Sequence, residues 1–211
     1  MKSGAGALGA RSEPGFYATR AGRVKRRLAA FDRKIRSVTQ GARAQTRGWN
    51  RNPGEPAMSF RIVGLPAETF TGLFSLSDEE LKARRAVRSV ADSGGYPCRV
   101  SLTDAEPGDE VVLVHYEHQP ADSPYRSSHA VYVRPGETTY DRVDQVPEQL
   151  RKRTLSVRGF DRDGMITDAD LVDGRELEGL IDRLFADPRA AYLHIHYARP
   201  GCYAARVERA A

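Results

Sequence analysis

From Met58 onward, short runs of alternating apolar and polar residues dominate the chain, with longer-period stretches between them. "FRIVGL", 60–65, reads as a first strand, because side chains two apart share one face of an extended chain. Pro66 opens a short helical stretch containing Phe70, Leu73 and Phe74. Ser77 and Glu80 then form an S-x-x-E capping box, which predicts a helix through about Arg85. "AVRSVA", 86–91, predicts a strand ended by Ser93-Gly94-Gly95. "PCRVSL", 97–102, and "EVVLVHYEH", 110–118, flank the turn "EPGD" and suggest a hairpin. "QPADSPYRSS", 119–128, is a loop, and "HAVYVR" resumes as a strand.

Pro147 predicts a short helix through about Lys152. "TLSVRGF" and "MITDADLV" flank "DRDG", whose Asp-Gly suits a tight hairpin turn. "GRELEGLIDRLF", 174–185, is the clearest amphipathic helix, with Leu177, Leu180, Ile181, Leu184 and Phe185 on one face. "AAYLHIHYA" and "CYAARVER" make a terminal hairpin around the "RPG" turn. Strands joined mainly by short connections argue for an α+β domain, a mainly antiparallel sheet with a few short helices packed on it.

Charge separates this region from what precedes it. Residues 1–57 hold 13 Lys and Arg against three acids, Glu13, Asp32 and Glu55, a net of +10. The whole chain has 33 basic and 28 acidic residues, so 58–211 carries 20 against 25, a net of −5. No nucleic-acid partner is expected for 58–211. Residues 1–57 are rich in Ala, Gly and Arg and contain one helix-like patch, Val24, Leu28, Phe31, Ile35 and Val38. Three readings stand for that patch: a basic arm for a membrane surface or nucleic acid, an Arg-rich transit peptide, or upstream sequence translated ahead of a true start at Met58. The third is preferred, with 1–57 a disordered or loosely helical basic tail and 58–211 a single domain. The longest aliphatic run is Val111 to Val114, far short of the roughly 20 residues that span a bilayer. Two cysteines make no disulfide framework, and a cytoplasmic location is expected.

Three stretches could carry chemistry. In "YLHIHY", Tyr192, His194 and His196 project one way from a strand, and Leu193, Ile195 and Tyr197 the other. Two imidazoles spaced i, i+2 could hold a divalent metal with a third ligand from another segment: His115, His118, His129, Glu117, Cys98 or Cys202. The bland alternative is a solvated face, or histidines bonded to carbonyls at a sheet edge. In "GGYPCR", Pro97 biases Tyr96 toward an extended shape and leaves Cys98 at a strand mouth beside Arg99. A histidine-activated thiol is one reading; a buried core cysteine is the stronger one. "SPYRSSH", 123–129, puts Tyr125, Arg126 and hydroxyls in one loop, a pattern suited to an anion.

"GGYPCRVSLTDAEPGDEVVLVHYEHQPADSPYRSSHAVYVR", "LIDRLFADP" and "AYLHIHYARPGCYAARVER" together resemble an uncharacterised bacterial family, domain of unknown function 1203. The resemblance covers nearly all of 58–211. Its patterns fall on Tyr96 to Arg99, Ser123 to Arg126, His194, His196, Gly201 and Cys202. The chain departs from the pattern at Tyr197, where a small amide is expected, and at His129, where glycine is expected. Ligand preference would differ here if either lines a pocket. The resemblance implies an extent and no reaction.

The expectation is a small-ligand or metal-binding module, monomeric or homodimeric, with a pocket formed by 96–99, 123–129 and 192–203. Tyr96, Arg99, Tyr125, Arg126 and Cys202 would contact a small or anionic ligand, and His194 and His196 a metal. The alternatives are an enzyme using Cys98 or a histidine-held metal, and a protein-interaction domain without catalytic chemistry.

Overall fold

The computed structural model describes residues 58–210, so the expectations for 1–57 lie outside the described residues. Its nine strands are β1 (Phe60–Val63), β2 (Ala86–Val90), β3 (Glu110–Gln119), β4 (Ser127–Val133), β5 (Asp141–Val143), β6 (Thr154–Phe160), β7 (Ile166–Asp173), β8 (Tyr192–Tyr197) and β9 (Tyr203–Arg209). Three short α-helices join them: α1 (Asp78–Ala83), α2 (Glu148–Arg151) and α3 (Leu177–Phe185). The strands form two antiparallel sheets, one of order β5-β1-β9-β8-β6-β7 and one of order β2-β3-β4. This is the expected α+β class.

The local signals act as their chemistry predicts. Ser77 accepts from the Glu80 backbone N–H, and Glu80 accepts from the Ser77 backbone N–H, so the capping box closes at the start of α1. Helix α3 buries Leu177, Leu180, Ile181, Leu184 and Phe185. They pack in one core with Leu155 and Val157 of β6, Leu193, Ile195 and Tyr197 of β8, and Val207 of β9. Each such side chain contributes about 1.5–3 kcal/mol relative to exposure. This core covers one face of the large sheet.

The predicted hairpin between 97–102 and 110–118 does not form. Strand β3 pairs instead with β2 and β4. Residues 97–104 fold into a turn in which the Cys98 N–H donates to the Thr103 carbonyl at 2.9 Å and Leu102 takes a φ of 53°. The Arg99 N–H donates to Tyr132, and the Arg99 carbonyl accepts from Leu65. With its polar backbone groups taken by three different segments, this stretch has no ladder left to offer β3.

Strand β8 lies inside the large sheet, between β9 and β6, and all six of its residues are buried. The bland alternative of a solvated histidine face is therefore corrected. Both faces of β8 are covered, one by the α3 core and the other by the small sheet. On that second side Leu65, Leu81, Cys98, Val112, Val114, Val131 and Tyr203 share a further core.

Candidate functional site

Antiparallel register decides which side chains meet between the sheets. In β8, Tyr192, His194 and His196 share a face, opposite Phe160, Arg158 and Ser156 of β6. In β3 and β4, Val112, Val114 and Tyr116 lie opposite Val133, Val131 and His129, so His129 shares the inward face of the small sheet. The register then shifts between Glu117 and Gln119. That bulge turns two consecutive residues inward: His118 reaches His194 and His196, and Gln119 hydrogen-bonds Tyr192 at 2.8 Å.

Four imidazoles thus gather from three strands. The His118 ring is stacked on His129 at 4.7 Å and lies 5.5 Å from His194 and 5.3 Å from His196. Tyr203 also stacks on His118, at 4.6 Å, and meets His194 edge-on at 5.2 Å. His118, His194 and His196 each offer one nitrogen, and these three atoms lie within 4.8 Å of one another. All three residues are buried, His194 to 1% exposure and His196 to 0%.

Their hydrogen bonding is incomplete in an ordered way. His196 Nδ1 lies 3.1 Å from the Gly201 carbonyl. A carbonyl only accepts, so Nδ1 carries the proton and the Nε2 lone pair stays free. That Nε2 has no partner among the described residues, nor do His118 Nδ1, His129 Nδ1 or either nitrogen of His194. Burial pushes the histidines toward the neutral form. His118 is held down to about 4, by desolvation first and then by His129 and Arg158. His194 is pushed to about 2 and His196 to about 3, again mainly by burial, with neighbouring imidazoles and arginines adding to it. Neutral imidazole is the form that binds a metal.

A cleft of about 380 Å³ opens onto the cluster. It is lined by Val63 to Pro66, Tyr116 to His118, Pro120, Thr139, His194, Tyr203 and Arg206. The volume falls within the range of small-molecule sites.

The family described as protein of unknown function, DUF1203, matches residues 95–209, which is 115 of the 211 residues. The chain belongs to that family. No curated protein and no solved structure matches it. All four histidines of the cluster lie inside the DUF1203 span, while the Val63–Pro66 wall of the cleft lies outside it.

Within the DUF1203 domain the sequence-predicted site residues divide. His194 and His196 meet, and His118 is the third member out of the six considered. Glu117 is engaged by a two-pronged ion pair from Arg126, at 2.7 and 3.2 Å. Arg126 therefore holds its fork on a protein carboxylate. Tyr125 is 41% exposed, its ring 6.4 Å from Phe160. Tyr96 donates to Asp92 and packs its ring on Tyr132. His115 is exposed.

Cys98 is 0% exposed in the core with Val112 and Tyr203. Cys202 is half-buried with Sγ 3.9 Å from the Pro200 carbonyl, and both thiols are free. Arg99 is buried: Nε donates to the Tyr203 carbonyl at 2.9 Å, a second nitrogen donates to Pro97, and the guanidinium sits 4.8 Å over Tyr197. Arg99 thereby anchors the 96–99 turn to the strand that carries Tyr203. Of the predicted residues His194 lines the cleft, together with His118 and Glu117 from the six candidate third ligands; Tyr203, Arg206 and the Val63–Pro66 wall were not among them.

Proposed function

We propose that this DUF1203 domain binds a divalent transition metal of the zinc class through His118, His194 and His196. The observation that carries the reading is the set of buried, unpaired imidazole nitrogens converging between the sheets. Each buried polar atom without a partner costs about 1–3 kcal/mol, and four of the five such imidazole nitrogens belong to these three residues. A metal gives one nitrogen of each residue a partner, at most three of these four. His196, oriented by the Gly201 carbonyl, has the outer contact typical of a metal-bound imidazole.

The fit requires a small adjustment. Bonds of about 2.1 Å in a tetrahedron put donor nitrogens about 3.4 Å apart. The present limit of 4.8 Å therefore leaves about 1.4 Å at most to close. Rotation about the soft ring torsions supplies that movement. Three nitrogen ligands leave a fourth position for water or a small ligand, the pattern of a reactive rather than a purely structural zinc site. The cleft beside His118 and His194 supports access to it.

Elemental analysis of the purified full chain after zinc loading and gel filtration tests the reading. One zinc per chain is expected, falling to background in His194→Ala and His118→Ala. Less than a tenth of an equivalent in the wild type, or full retention in both variants, overturns it.

A further inference from the structure

His194 has an arginine on each side of it in the large sheet, Arg158 on β6 and Arg206 on β9. The two differ in what they touch. Arg206 pairs with Glu208 at 2.8 Å and lies 3.8 Å over the Tyr192 ring. Arg158 has no side-chain hydrogen bond or ion pair among the described residues. Arg84, Arg85, Arg162 and Arg199 also lack one, but all four are exposed to solvent. Arg158 is half-buried on the face that carries the histidines. A half-buried guanidinium beside the imidazole cluster, with no carboxylate of its own among the described residues, is a ready partner for an anion.

The metal reading sharpens this imbalance. Three neutral imidazoles leave both charges of the ion uncompensated, and Arg158 adds a third. The nearby carboxylates are already engaged, Glu117 by Arg126 and Glu208 by Arg206. We propose that the site takes a small oxyanion, a carboxylate or phosphate group, held between the fourth metal position and the Arg158 guanidinium. The inference rests on the metal reading and names the class of ligand for it. Guanidinium suits that class because its planar fork matches two oxygens of one anion. The influence of Arg158 on all four histidines agrees with a guanidinium close to the cluster.

Cobalt(II) in place of zinc makes the test optical. The full chain, loaded with one equivalent of cobalt, is titrated separately with inorganic phosphate and with acetate, following the visible absorption of the ion. A saturable spectral change is expected with at least one anion, and the responding arm says which oxyanion fits. Arg158→Met should keep one cobalt per chain and weaken the anion by roughly tenfold to a hundredfold; Arg158→Lys should recover part of the loss. Cobalt bound with no response to either anion overturns the inference and leaves the metal reading standing. So does an unchanged affinity in Arg158→Met, or an effect confined to Arg206→Met. Failure of the wild type to bind cobalt overturns both.

Discussion

Replacing His194 with phenylalanine is expected to stabilise the metal-free protein and to remove its response to zinc. The imidazole is 1% exposed and neither nitrogen has a partner. At about 1–3 kcal/mol for each unpaired buried atom, the metal-free fold carries a penalty of about 2–6 kcal/mol at this residue. Phenylalanine removes it and keeps a ring beside Phe160, Tyr192 and Tyr203, now 5.0, 5.2 and 5.2 Å away. The larger ring costs about 1–3 kcal/mol where it cannot relax, and the cleft beside His194 gives it room. The net expectation is a gain of about 1–3 kcal/mol, with about 2–4 °C in Tm for each kcal/mol in a domain of this size. Urea unfolding in the presence of chelator measures this as a higher midpoint at unchanged slope. Zinc at a hundred times its Kd should then add about 2.7 kcal/mol to the wild type and almost nothing to the variant, shrinking or reversing their order. If the variant unfolds at lower urea than the wild type in chelator, the nitrogens of His194 are paired in the fold, and the energetic case for a metal fails.

Acid should unfold the metal-free protein early. Burial holds His118, His194 and His196 at about 4, 2 and 3 when folded, below the ordinary value of about 6.5. The unfolded chain takes up protons first as pH falls, so stability is full above about 6.5 and drops by about 1.4 kcal/mol per pH unit per histidine down to about pH 4. Urea midpoints across that window check the slope, which His194→Phe should lower by about one third; a flat profile from pH 6.5 to 5 would contradict the burial of three neutral imidazoles. Thiol labelling of the native chain should modify half-buried Cys202 first and Cys98, at 0% exposure, only on opening of the fold; two equally fast thiols would place Cys98 at the surface. Gly64→Ala should destabilise by roughly 2–4 kcal/mol, because an added Cβ would overlap the Val100 carbonyl oxygen; a circular-dichroism melt within a degree of wild type would show that the two segments can part freely.

The α+β class and most elements were legible because their signals are local. The capping box at Ser77 and Glu80, the apolar stripe of α3 and the Asp-Gly turn between β6 and β7 each depend on residues within a few positions of one another. The shared direction of His194 and His196 was legible for the same reason. What covers that face was not, since the small sheet arrives from residues far away in the chain. Strand alternation names the neighbours on one strand and is silent about the partner strand, so Arg158 and Arg206 escaped notice although each stands directly across from His194. Tyr96, Tyr125 and Arg126 looked available because sequence alone does not display Asp92, Phe160 and Glu117 beside them.

Two irregularities in the ladders build the site, and they explain why no simple alternation could have located it. Unbroken alternation along β3 turns His118 and Gln119 to opposite faces; the shift between Glu117 and Gln119 buries both against the large sheet. In the last hairpin, His194 pairs with Arg206, and regular spacing would set residue 204 across from His196. The shift between Ile195 and His196 sets Tyr203 there instead, where its ring stacks on His118. Each bulge gives up a regular ladder position and delivers an aromatic ring to the same few ångströms between the sheets. Bulges of this kind re-aim side chains and recur beside functional sites. The shift that sets Tyr203 rather than Ala204 across from His196 adds a buried ring to the core, yet packing alone gives no reason to leave the imidazole nitrogens unpaired. The paired irregularities therefore argue in the same direction as the orphaned nitrogens: the inter-sheet space is arranged around the histidines, at a cost in unpaired imidazole nitrogens that the proposed ion would reduce.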